Sequence, residues 1–470
     1  MGAGSSRVQT IPPLVENLDI LQGQEPWQAP LGVSLKFLAS FLEKNRTKDL
    51  STEEVITQFV LGPTSKEAVS YVEWAVVEHT LRREDVGKAS HFVSYSPSMK
   101  FDELCSALST FVEDERLNEF SPAEFYFFLD VFCVNLHSPP WENGVELEDF
   151  LRTTIRSSGT TVLVLLSWES PICFKNIWSL YELFITFITS TELIVCLPKN
   201  CRRKFNQMLR QQFHTLAHSL EDIDCRKTDP HVFKEPILHH VGSSVGLVHM
   251  NEIIVTTMRA WLLEAGQQLL AALVMDNGAE SMPVADMLKI IGDWYVSVQK
   301  YEEAIPTFFR CLEIYEHNSY APLEKKLQIL DILAKMLKYM GRHNEALPLY
   351  AKIVDLARNI YGKSSPEMAF SLNGLARAHC SCEQYDEAKV LYENSLLLLE
   401  QAYGPHDPEV AGSLNNLGDL HRQNGELDLA LPLLQRSLEI KERNLDRNHP
   451  SIATSLNNQA EILKQQVLPR

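Results

Sequence analysis

One spacing constrains this chain above all others. Small residues stand at Gly292, Ala334, Ala376, Gly418 and Ala460, each 42 positions after the last. A second small position recurs at Ala304, Ala346, Ala388 and Ala430, and a bulky one at Phe308, Tyr350, Tyr392 and Leu434, with the same interval of 42. LNNLGDLHRQNGELDLALPLLQRSLEI at 414–440 aligns with LNGLARAHCSCEQYDEAKVLYENSLLL at 372–398. A fixed period of this size requires stacked units that bury their apolar faces against neighbours.

Each unit reads as two antiparallel helices. The small residue of the first helix and the alanine of the second let the backbones approach, and the bulky side chain fills the gap beside them. Turns fall at KYMGRHN (338–344), SCEQYD (381–386) and RQNGELD (422–428). Pro366, Pro408 and Pro450, again 42 apart, mark the entry to each following unit, where a helix start tolerates proline. The motifs SLNNLGDL and YGPHDPEVAGSLNNLG resemble the longer tetratricopeptide repeats (TPR) of kinesin light chains and the nephrocystin family, over residues 284–470. About four and a half repeats are expected. Pro322 falls two residues out of phase, and ILKQQVLPR follows the last first-helix as a solvating cap.

The resemblance implies a concave groove lined by the first helix of each pair. Counting outward from the small residue places Lys335, Lys338, Arg377, Arg422 and Lys464 there, with Asn373, Asn415, Asn457, Asp331 and Asp419. An asparagine amide offers both a donor and an acceptor to the backbone of an extended peptide, and the basic residues favour acidic side chains on it. The partners expected are therefore proteins or peptides with acidic segments.

Between 86 and 262 the pattern changes. HFVSYS (91–96), FYFFLDVFCVN (125–135), TTVLVLLSW (160–168) and LIVCLP (193–198) are continuous apolar runs, as buried parallel strands require, and amphipathic segments separate them. This order predicts an open parallel α/β sheet of flavodoxin type with helices on both faces. Ligands in such sheets sit beyond the carboxyl ends of the strands. Those ends here carry Ser94, Tyr95, Asp130, Asn135, His137 and Trp168.

ASHFVSYSPSMKFDELCSAL, FFLDVFCVNLH, TTVLVLLSWESP and IWSLYEL resemble the strands and the W-C-x-x-E-L helix of Toll/interleukin-1-receptor (TIR) domains. That resemblance implies either an association module or an enzyme that cleaves NAD, in which Glu182 would occupy the catalytic glutamate position. NAD would then be a substrate, and no cofactor is expected otherwise. Ser179 stands where cysteine is common, and YSPS (95–98) replaces a His-Ala-Trp sequence.

No GxxxxGK[ST] loop is present, GSSVG (242–246) lacks the GxSxG or GxGxxG order, and adjacent His239 and His240 point apart. His91 at the head of a strand reads as structural. Nine cysteines without a CxxC pair predict reduced thiols, hence a cytoplasmic protein, and the net charge of -18 opposes nucleic-acid binding. No apolar run long enough for a membrane span occurs, and the first residues do not read as a signal peptide. MGAGSSR fits the N-myristoylation pattern with Gly2 as acceptor, which would allow only weak, peripheral membrane contact.

The expected organisation is a disordered segment at 1–30, helices at 31–85 packing on the next domain, and the α/β domain at 86–262. The end of a connecting helix and a linker at 263–283 follow, then the all-α repeats at 284–470. The expected function is a non-enzymatic adaptor that holds proteins through the repeats and self-associates or senses a ligand through the α/β domain. The alternative is an NAD hydrolase regulated by the repeats.

Overall fold

The computed structural model describes residues 6–8, 30–78, 81–116, 125–139, 144–168, 171–211, 213–231, 233–446 and 449–467. Gly2 lies outside them, as does most of the 1–30 segment. The chain divides into two compact units, Met1–Asp276 and Asn277–Arg470.

The first unit is built on one mixed sheet. Its strands are β1 (Ser6–Val8), β2 (Leu31–Val33), β3 (Val86–Lys88), β4 (His91–Ser94), β5 (Phe127–Phe128), β6 (Thr160–Val164) and β7 (Glu192–Cys196). Their order is β1-β7-β6-β4-β5-β2-β3. The four central strands run parallel, and β1, β2 and β3 pair antiparallel at the edges. Among the parallel strands the second lies outside the first and the third and fourth on its other side, the doubly wound order. Helices α1 (Leu35–Asn45), α2 (Phe101–Arg116), α3 (Gly144–Ser158), α4 (Ile177–Ile188) and α5 (Lys199–Gln211) accompany it, and α6 (Leu247–Asn277) carries the chain to the boundary.

Three details differ from the sequence expectation. Ser6–Val8, assigned to a disordered segment, pairs with β7. FYFFLDVFCVN is not one strand: it pairs only at Phe127–Phe128, then turns into a short helix at Asp130–Cys133. The Asp130 carboxylate accepts the Val131 amide at 2.8 Å, which favours a turn over strand continuation. The turn carries Phe132 into the aromatic cluster, with ring centroids 5.2 Å from Phe37 and 5.0 Å from Phe41. Segment 31–85 is also more than a helical addition. It supplies β2, and Phe37, Leu38 and Phe41 of α1 belong to the same core as Phe101, Phe127 and Val162. Ser51 and Glu54 form a reciprocal capping box at the start of a short helix, Thr52–Val55.

Among the described residues the second unit is four helical hairpins and a final single helix. The pairs are α7 (Met282–Ser297) with α8 (Tyr301–His317), α9 (Leu323–Tyr339) with α10 (His343–Tyr361), α11 (Pro366–Ser381) with α12 (Tyr385–Tyr403), and α13 (Pro408–Gln423) with α14 (Leu427–Asn444). Helix α15 spans Pro450–Val467. Pro366 and Pro408 open their helices after Ser365 and Asp407 caps. The small positions do what their spacing requires. A Cβ on Gly292 would lie 2.7 Å from the Phe308 ring, and one on Gly418 would lie 2.7 Å from Leu434 Cγ. A further tie recurs within individual hairpins: Ser395 Oγ donates to the Ala369 carbonyl and Ser437 Oγ to the Ala411 carbonyl, both at 2.7 Å. Two repeats earlier the Cys311 thiol donates to the Ala285 carbonyl at 3.2 Å.

Candidate functional site

The first helices of three successive hairpins present one groove. On α11, Glu367, Phe370, Ser371, Gly374 and Arg377 are spaced three and four apart and so share a face. With Asp331 and Lys335 of α9, Tyr361 of α10 and Glu409 of α13, they line a cavity of about 590 Å³. Phe370 and Tyr361 are each 42 % exposed, large for aromatic side chains. Tyr350 and Asn373 also contribute to the lining; the Tyr350 hydroxyl is buried near the Arg377 guanidinium, and Asn373 Oδ1 is buried without a hydrogen-bond partner among the described residues.

The charges divide by position. Lys335 Nζ pairs with Asp331 Oδ2 at 2.7 Å. Among the described residues no carboxylate pairs with Arg377. Burial, and then the neighbouring Arg377 cation, hold the Lys338 amine below its ordinary value. Glu367 and Glu409 are exposed in the first turns of α11 and α13 and pair with no cation among the described residues. The groove is therefore acidic toward the amino ends of its helices and basic toward their carboxyl ends.

In the first unit, α4 buries Glu182 to 3 % exposure. Ser94 Oγ, at the end of β4, donates to Glu182 Oε2 at 2.6 Å. Burial, followed by the nearby Asp130 carboxyl, pushes the Glu182 carboxyl well above the usual range, and the Ser94 hydrogen bond opposes this. The Tyr95 hydroxyl donates to Asp130, and Ser179 Oγ donates to the Tyr95 carbonyl at 3.0 Å. The crevice beyond β4 and β6, lined by Ser96, Met99, Ser167 and Cys173, holds only about 40 Å³, and Glu182 is not part of its lining. Pockets for small organic ligands run to roughly 300–1,000 Å³.

The other strand-end residues also serve packing. Trp168 donates to the Leu216 carbonyl at 3.2 Å and stacks on Trp261, His137 bonds Thr64 at 2.8 Å, and Asn135 donates to the Ala68 carbonyl at 2.5 Å. His240 pairs with Glu148 at 2.6 Å, and the His91 ring lies against Phe111, Phe125 and Phe127. Among the described residues no histidine, cysteine and carboxylate cluster could hold a metal.

Comparison with known proteins bears on the second unit. Tetratricopeptide repeat models match residues 326–383, 371–443 and 409–466, and a further one matches 288–319. Residues 288–319 and 326–466 are tetratricopeptide repeats. Solved structures similar to the chain include BtubC (BKLC) from P. vanneervenii, at 16% identity over 43% of this chain and 80% of that one, with a TM-score of 0.36. Kinesin light chain-like, nearly identical TPR-like repeats from Podosopora anserina match at 19% identity over 41% of this chain and 91% of that one, TM-score 0.36. The apo form of RapI matches at 13% identity over 44% and 78%, TM-score 0.34. No curated protein matches the chain.

The tetratricopeptide array brings together only part of the expected groove. Lys335, Asn373 and Arg377 line it, with Asp331. Asn415, Asp419, Arg422, Asn457, Lys464 and Lys338 are not part of that lining. The two central asparagines act mainly between repeats: Asn373 Nδ2 donates to Ser413 Oγ at 2.6 Å, and Asn415 Oδ1 accepts from Ser455 Oγ at 3.2 Å. Arg422 is held by Asp419 at 2.7 Å. Asn457 and Lys464 are exposed on α15, where Ala460 is exposed too, because no second helix covers it within this chain's described residues. The groove residues missed from sequence carried a signal: Pro366-Glu367 and Pro408-Glu409 repeat at the 42-residue interval. Among the described residues no helix is long and apolar enough to cross a membrane.

Proposed function

We propose that this protein is an adaptor that holds an extended segment of a partner protein against the first helices of its repeats. Tetratricopeptide repeats favour a protein-binding scaffold, and the observation that carries the site is one groove that joins exposed Phe370 and Tyr361 to Arg377, with which no carboxylate pairs among the described residues. An anionic side chain of the partner would meet Arg377. Phe370 and Tyr361 offer apolar area for an anchoring side chain.

The first unit is proposed as a TIR-type association module. Its parallel strand order suits that reading, and Glu182 would act in it by tying α4 to β4. Gly2 myristoylation is proposed from the sequence pattern alone, and mass spectrometry of the amino terminus with Gly2→Ala as control tests it.

The groove is tested by Lys335→Glu with Arg377→Glu in the full chain. Binding of peptides selected on the wild-type protein should fall about tenfold or more, with the thermal midpoint kept. Arg422→Glu, outside the groove, should leave binding within about twofold. Equal binding by all three proteins would remove the groove from the account.

A further inference from the structure

The charge division within the groove says more about its occupant than a preference for anions. Glu367 and Arg377 lie ten residues apart on one face of α11, so about 15 Å separates them along the helix. Glu409 repeats the acidic position one hairpin on, and Lys335 repeats the basic one on α9. A segment crossing these helices in extended conformation points successive side chains to opposite sides. One set then faces the two glutamates and the other faces Arg377 and Lys335.

We infer that the groove selects an extended peptide with cationic side chains on one edge, toward Glu367 and Glu409, and anionic ones on the other, toward Arg377, around an apolar side chain against Phe370 and Tyr361. This rests on the groove reading above and adds the cationic edge to it. A ligand that was acidic throughout would place like charge against two unpaired glutamates, a cost that a mixed-charge ligand converts into attraction. Lys335 is already neutralised by Asp331, which leaves Arg377 as the principal anion contact and makes the basic wall narrower than the sequence count implied.

The test is selection of short random peptides on the full-length protein, repeated on Glu367→Lys with Glu409→Lys. The wild type should enrich peptides that alternate Lys or Arg with Asp or Glu around an apolar residue. The double variant should replace the basic residues of that pattern by acidic ones. Glu367→Gln with Glu409→Gln guards against loss of folding from charge reversal at a helix start, and should weaken the wild-type peptide about five- to tenfold by fluorescence anisotropy. Wild-type peptides that are acidic on both edges, or binding indifferent to the glutamate variants, overturn the mixed-charge inference and leave the groove standing. Failure to enrich any peptide, or enriched peptides that bind Lys335→Glu/Arg377→Glu as well as the wild type, overturns both.

Discussion

Glu182 shows how environment decides what a carboxyl can do. Enclosed in α4 and bonded by Ser94, it favours its protonated form. Glu182→Gln keeps an acceptor for Ser94 and should change stability by less than about 1 kcal/mol, while Glu182→Ala should cost about 1–3 kcal/mol by urea denaturation. Its folded-state pKa lies above the unfolded value of 4.5, so the stabilisation is complete below that value and is lost as pH rises through the folded one. The Gln variant should therefore flatten the decline in urea midpoint with rising pH. Some slope will persist, because burial raises Asp130 as well. Lys441 is the opposite case. It is 8 % exposed, donates to Ser455 Oγ at 2.7 Å, and burial holds its amine below the usual value. The equivalent position one repeat earlier is Leu399, fully buried. Lys441→Leu should raise stability by roughly 1 kcal/mol, read from the denaturation midpoint, because it removes a buried cation with no carboxylate partner among the described residues. Neither environment was legible from residue identity: IWSLYELF gives the helix and its one acid, while the strand that meets it lies far away in sequence.

At the scale of elements, periodicity was the readable quantity. The small and bulky positions spaced by 42 predicted which side chains meet, and Gly292 with Phe308 and Gly418 with Leu434 meet accordingly. Alanine is a better helix former than glycine by about 1 kcal/mol, yet Gly418→Ala should destabilise the array by about 1–3 kcal/mol, since its Cβ would press on Leu434 and the Ala430 carbonyl. Combining it with Leu434→Ala should cost less than the sum of the two single changes, the mark of a shared contact. The asparagines carry a second use that repetition alone does not reveal. A residue repeats equally well to join neighbouring units as to face a ligand: Asn373 and Asn415 both bond the next repeat, and Asn373 lines the groove as well. The end of the strand at Phe128 was also hidden, because apolar composition alone does not separate a strand from a buried turn of helix.

For the whole molecule, the two units carry separate cores and different kinds of order. The first depends on contacts between distant segments, as when α1 packs on Phe132, whereas each hairpin of the second rests mainly on its neighbours. Calorimetry should resolve more than one transition, and Glu182→Ala should lower only the one that belongs to the first unit. A single transition that shifts as a whole would show the units to be coupled. The hydroxyl ties of Ser395 and Ser437 are each satisfied inside one hairpin, by carbonyls 26 residues earlier in the chain. Tandem duplication of one such block would thus carry these two bonds with it, whereas the Asn373–Ser413 and Asn415–Ser455 bonds across the joins form only where a matching neighbour follows.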